Sequence, residues 1–300
     1  MHKAVRRRAF RPVGWFLGVA MVAFGNTAAL AQAAVSPAEM PQPALVKMLP
    51  ADIATSKTLI VGVALGSPPD DFRDANGQVA GWEIDLLRAA SEALGLNLDI
   101  RPTTFDALIP GLQAHRFDVA TGQMGVTEVR EKVIDQLGWL LGNELFAALA
   151  DNPIKVNSLD DLCGVAVATT RGSREAEFAR LHQPACEKLG RKPINLLVFN
   201  DGASAADAML SKRADLFWVG STAVSYFVAQ SHGKTKVVGH YTDLAYIGVG
   251  MPKGSDMAKP LQAAVQHLMD DGTYTKIITK WGLEDGAVKT APLNPTGAPR

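Results

Sequence analysis

Cysteine is almost missing from this 300-residue chain, which has only Cys163 and Cys186. An even pair without C-x-x-C spacing, in a chain whose histidines are not clustered, argues against a metal site and, in an oxidising compartment, for a disulfide. His115, His182, His232, His240 and His267 are scattered and read as surface residues, so no metal, cofactor or catalytic histidine is expected. Net charge is missing as well: 30 basic residues balance 30 acidic ones. That excludes the global field that draws a protein to nucleic acid or anionic membrane. The chain also lacks a cysteine after its cleavage signal, which removes the usual lipid-anchoring position.

What is present begins with an address. Arg6, Arg7 and Arg8 precede an apolar run from Val13 to Leu30 that ends in Ala29-Leu30-Ala31, a small-residue cleavage pattern. Residues 1–31 are read as a signal peptide, with a site after Ala33 as the alternative. An uncleaved anchor is the other reading, because the run is almost long enough to span a bilayer, although glycines and Asn26 interrupt it. Arg7-Arg8-Ala9-Phe10 partly resembles a twin-arginine signal, and ordinary secretion is favoured. The expectation is a periplasmic protein that is not lipid-anchored. About 270 residues remain after cleavage, enough for two modest domains. Residues 32–57, rich in Ala and Pro, are expected to be a flexible leader.

From Thr58 the pattern is regular. Leu59 to Leu65 is a near-continuous apolar run, the mark of a strand covered on both faces. Gly81 to Leu94 reads as a helix with Ile84, Leu87, Ser91 and Leu94 at helical spacing and Gly95 as the stop. Leu96, Leu98 and Ile100 alternate as a strand, Asp106 opens a helix that tolerates Pro110 in its first turn, and Val119 to Thr121 is the next strand. After a linking region, Leu137 to Pro153, the same grammar repeats. Strands at Val165 to Thr169, Ile194 to Phe199 and Leu216 to Val219 alternate with helices from Gly172-Ser173 to Leu189, from a Ser204 cap to Lys212, and from Thr222 to Gln230. Val237 to Gly239 and Tyr246 to Met251 lead out, and Pro260 starts a helix before the last one ends at Gly282. Strands separated by helices imply a parallel α/β sheet, with ligands bound beyond the carboxyl ends of the strands.

One such end is Asp118 to Lys132. Its apolar run breaks at Gly122, a bare loop follows, and Thr127 is placed to cap the next turn. Arg130 lies one turn further on, where a guanidinium can close on a carboxylate in bidentate fashion.

These residues carry a resemblance. Gly81-Trp82-Glu83-Ile84-Asp85-Leu86, Phe105-Asp106-Ala107-Leu108-Ile109-Pro110, the Thr127 and Arg130 stretch, and Ser158-Leu159-Asp160-Asp161-Leu162-Cys163-Gly164 resemble the extracellular (periplasmic) solute-binding proteins of family 3, the amino-acid ABC transporter type. The closing segment with Pro252-Lys253-Gly254, Asp271-Gly272-Thr273-Tyr274 and Lys280-Trp281-Gly282-Leu283 is similar to theirs too. The resemblance implies an α/β, two-lobe periplasmic-binding-protein-like fold, with the lobes joined by two crossing strands and the ligand cleft between them. It divides the chain into lobe 1, residues 58–145 plus 238–285, lobe 2, residues 146–237, and a C-terminal tail, 286–300. It also implies a monomer that traps a small carboxylate-bearing ligand, an amino acid or related organic anion, and delivers it to an ABC transporter permease.

Carried over residue by residue, Phe105 forms a wall on the ligand, Gly122 and Met124 offer main-chain contacts, Thr127 caps, and Arg130 grips the carboxylate. Gly172 and Ser173 form the second lobe's anion-binding turn. Three positions depart from the family's pattern. Ser67 and Asp70 stand where an aromatic usually covers the ligand, Gly125 replaces a common hydroxyl residue, and Gly220 replaces the aspartate that pairs with the ligand's ammonium. Arg174 follows the anion-binding turn where a small residue is usual. One cation gained and one anion lost predict a cleft about two charges more positive than an amino-acid site. An unpaired buried ammonium is costly there, so an organic anion is expected over a neutral or basic amino acid. Two other classes compete: an exported accessory or sensory protein on the same fold, and a cyclohexadienyl-dehydratase-like enzyme. The enzyme would need a cleft carboxylate with a shifted pKa, for which Asp70, Asp71 and Glu175 are available; the reading adopted is not an enzyme.

Overall fold

The computed structural model describes residues 41–295. The expected signal peptide and the first part of the leader lie outside them. The remainder of the leader departs from expectation: it forms two short helices, α1 (Pro43–Val46) and α2 (Ala51–Ser56). Ile53 is buried, Leu45 and Leu49 pack on the main core, and the Gln42 N–H donates to the Ala93 carbonyl at 2.8 Å. Too short to show a helical period, these turns are held by tertiary packing.

The chain then runs through β1 (Thr58–Ala64), β2 (Phe72–Arg73), β3 (Val79–Ala80), α3 (Trp82–Ala93), β4 (Asn97–Thr103), α4 (Phe105–Gln113), β5 (Val119–Gly125), α5 (Glu128–Glu131) and β6 (Ile134–Leu149). β1 lies between β4 and β5, parallel to both, and Leu59, Val61 and Val63 are wholly buried. The helix α3 starts after Gly81, whose φ of +138° and close approach to the Asp70 carbonyl leave no room for a Cβ.

The second half adds β7 (Ala166–Thr170), α6 (Arg174–Lys188), β8 (Asn195–Phe199), α7 (Gly202–Leu210), β9 (Leu216–Gly220), α8 (Ser221–Gln230), β10 (Thr235–Pro252), α9 (Ala258–Asp270) and α10 (Thr273–Trp281). Asp201, not Ser204, caps α7, its carboxylate accepting from the Ser204 N–H at 2.8 Å. The strand order is β4-β1-β5-β10-β6-β9-β7-β8.

Two long strands make this one sheet out of two lobes. The stretch expected as a linking region is β6, and the two exit segments are the single strand β10; the two pair antiparallel from Thr235 against Leu149 to Pro252 against Ile134. At one end β10 pairs with β5, and at the other Glu144 to Ala147 of β6 pair with β9. The β10 register shifts between Tyr241 and Ala245, where the strands pass from one lobe to the other.

Each lobe has its own core. In the first, Trp82 and Trp139 meet edge to face at 5.7 Å, and α9 and α10 return to pack against α3. In the second, Phe146 stacks on Trp218 at 4.7 Å beside Leu162 and Cys186, while Phe217, Met209 and Val224 fill the opposite sheet face. The described part of the tail is packed on lobe 1. Ala291 is buried, and Asn294 accepts from the Gln136 N–H at 2.9 Å.

Cys163 and Cys186 form the disulfide, tying the start of the β7 region to the end of α6 across 23 residues. Closing a loop of that size is worth roughly 3 kcal/mol in the chain-entropy model. Titration of unfolded, unreduced protein should find no free thiol, and reduction should lower the melting temperature. Two reactive thiols would contradict the bridge.

Candidate functional site

The lobes are closed on one another. The Ala203 N–H donates to the Gly66 carbonyl at 2.9 Å, and the Gln123 side chain donates to the Thr222 hydroxyl at 2.5 Å. The cleft between them is the site.

On the lobe 1 wall, Thr127 caps α5, accepting from the Arg130 N–H at 3.2 Å. That turn sets Arg130 over the Phe105 ring, 5.4 Å from its centroid, with Nη1 donating to the Gly125 carbonyl at 2.8 Å. Among the described residues this is the guanidinium's one hydrogen bond, and its other donors are available to the cleft it lines. Burial lowers its pKa to about 10, helped by Arg174 and opposed by Glu175, so it is charged at neutral pH. The Gln136 side chain braces the loop from behind, accepting from the Thr127 N–H at 3.2 Å and donating to the Gly125 carbonyl at 3.3 Å.

On the lobe 2 wall, Ser173 caps α6, accepting from the Ala176 N–H at 3.2 Å. Arg174 and Glu175, the first residues of that helix, both line the cleft. Arg174 is paired with Glu144 of β6, which also accepts from the Thr242 hydroxyl of β10. Burial holds the Arg174 pKa below its usual value, while Glu175 pulls it up. Glu175 is 93% buried by its 7% relative exposure, and no group among the described residues hydrogen-bonds its carboxylate.

Of the nine positions expected in the site, Phe105, Gly122, Arg130, Ser173, Arg174 and Gly220 line the cleft. Met124, Thr127 and Gly172 do not: the Met124 side chain lies in the core under α4, Thr127 acts as the cap, and Gly172 abuts Asp106 across the lobes. Glu144, Asn143, Asn200 and Asp201 also line it, and no local motif in the sequence marks them. The expected two-charge excess does not arise. Glu144 neutralises Arg174, and two arginines face three carboxylates, Glu144, Glu175 and Asp201. The space an aspartate would need at Gly220 is taken by the Gln123 side chain.

Behind Gln123 lie three fully buried carboxyls, Asp70, Asp71 and Glu83. The Trp82 indole donates to Asp70 at 2.6 Å and the Gln123 N–H to Glu83 at 2.8 Å, yet both Asp71 oxygens lack partners. Burial, then the Glu83 charge, raises the Asp70 pKa to about 8 and holds Asp71 well above the carboxylate range. In the unfolded chain an aspartate loses its proton near 3.9. The folded state binds more protons between these values, so Asp70's contribution is fully present below about pH 4 and is lost as the pH rises towards 8. For one such group the slope is about 1.4 kcal/mol per pH unit. Melting temperature should fall across this range, and Asp70→Asn should raise it more at pH 8 than at pH 5. An identical gain at both pH values would show that Asp70 is ionised throughout.

Two lobes crossed twice by strands, with a polar cleft between them, define a protein that binds a small solute. The chain belongs to the bacterial extracellular solute-binding proteins, family 3, whose model matches residues 59–284. It is 30% identical to the arginine-binding protein ArgT of Corynebacterium glutamicum, over 85% of this chain and 84% of that protein. An ancestral arginine-binding protein bound to arginine superposes with a TM-score of 0.67 and 29% identity, over 75% of this chain and 98% of the other. The ancestral amino acid-binding protein AncCDT-1, a precursor of cyclohexadienyl dehydratase, gives 0.69 and 28%, over 77% and 97%. These similar proteins are binding proteins. Among the described residues no helix is long and apolar enough to cross a membrane.

Proposed function

We propose that the protein captures a basic amino acid, with arginine the first ligand to test, and delivers it to an ABC importer permease as a monomer after export and signal cleavage. The observation that carries this is the charge of the cleft. With Arg174 neutralised by Glu144, Arg130 is left for a carboxylate, Glu175 for one cation, and Asp201, which gives one oxygen to the α7 cap, for a second. One net negative charge matches a ligand with one carboxylate and two cationic groups. The arginine-binding relative and the arginine-bound ancestral structure support the same choice.

Capture without chemistry is favoured over the enzyme because the two strongly shifted carboxyls, Asp70 and Asp71, lie outside the cleft lining. A thermal-shift panel of basic, neutral and acidic amino acids, with their deaminated analogues, tests the reading. Ligand binding raises the melting point. Basic amino acids should raise it most, and stabilisation by the deaminated acids alone would overturn the proposal.

A further inference from the structure

Arg174 stands at the first position of α6, where the helix dipole disfavours a cation. It is held there on several sides. Glu144, with a side chain only 3% exposed, pairs with it from β6, and the Thr242 hydroxyl of β10 fixes Glu144 in turn. The Phe178 ring lies 5.9 Å from the guanidinium carbon. Across the cleft stands Gly125, where a Cβ would come within 3.3 Å of that same carbon. Gly125 and Arg174 are therefore matched across the cleft: the bare backbone in lobe 1 leaves room for the guanidinium of lobe 2.

We propose that the Arg174–Glu144 pair is a charge filter supplied by the protein, which sets how many cationic groups the cleft selects while leaving ligand anchoring to Arg130. The inference rests on the basic-amino-acid reading. A pair of opposite charges close together adds little net field at the ligand, so each partner alone has an effect of opposite sign. Without Arg174, Glu144 is a third carboxylate demanding a cation. Without Glu144, Arg174 is a second cation repelling one. Burial strengthens both effects, since the pair's side chains are 17% and 3% exposed.

The test is calorimetry on ligand-free protein with arginine and citrulline, which are close in shape and differ in side-chain charge. In Arg174→Gln the arginine-to-citrulline affinity ratio should rise by on the order of tenfold, and in Glu144→Gln it should fall by a similar factor. Arg174→Lys keeps the charge and should keep the ratio within about twofold of wild type. A purely structural role would weaken both ligands alike, so an unchanged ratio in the two glutamine variants would overturn the inference while leaving the proposed function standing. Wild-type protein that binds neither arginine nor any other basic amino acid would overturn the proposed function, and the filter with it.

Discussion

Arg130→Ala should weaken ligand binding by on the order of 2–5 kcal/mol, the cost of leaving a charge without its partner in a closing site. The reasoning begins with the turn. Thr127 fixes the backbone, Phe105 lies beneath the guanidinium, and the Gly125 carbonyl holds one nitrogen. An anchor immobilised before the ligand arrives loses little freedom on binding. Arg130→Lys keeps the charge but not the bidentate fork, and should recover only part of the affinity. Calorimetry gives the numbers, and circular dichroism checks that the fold is intact. Affinity unchanged in the alanine variant would place the carboxylate elsewhere.

Glu175→Gln is expected to have the next largest effect. Glu175 is buried at the cleft wall without a hydrogen bond from the described residues, and Gly220 offers no carboxylate for the ligand's ammonium. We propose that Glu175 fills that role. Its replacement should reduce affinity for a basic amino acid at least tenfold, since a buried cation would lose its partner. The deaminated analogue should lose much less. Equal losses for both ligands would mean that Glu175 shapes the closed cleft without touching an ammonium.

The parts that could be read from the sequence are those set by local pattern. The buried strand at Leu59, the α3 helix with Ile84 and Leu87 inward, and the Thr127 cap before Arg130 all follow from residues within a few positions of one another. The parts that were missed depend on distant partners. β6 reads as a link because Gly138 and Gly142 interrupt its apolar run, but Tyr246 and Ile247 of β10 fill the space those glycines leave. Ser204 reads as a cap, whereas Asp201 serves, because both residue types cap helices and only the main-chain geometry distinguishes them. Arg174 and Glu144 are 30 residues apart on different elements. No periodicity links them, and Arg174 without Glu144, taken with the glycine at 220, points to an anion-binding cleft. The support for Arg130 reaches further still, through Gln136 to Asn294 in the tail.

The central claim is that Arg130 takes a carboxylate while cleft carboxylates take the ligand's cations. Calorimetry on protein unfolded, stripped of ligand and refolded tests it most directly, using arginine, its deaminated acid and its decarboxylated amine under one set of conditions. Arginine should bind at least tenfold more tightly than either, since each analogue leaves one buried protein charge unpaired. A deaminated acid that binds as well as arginine would contradict the account, because Glu175 would then have no ammonium to pair with.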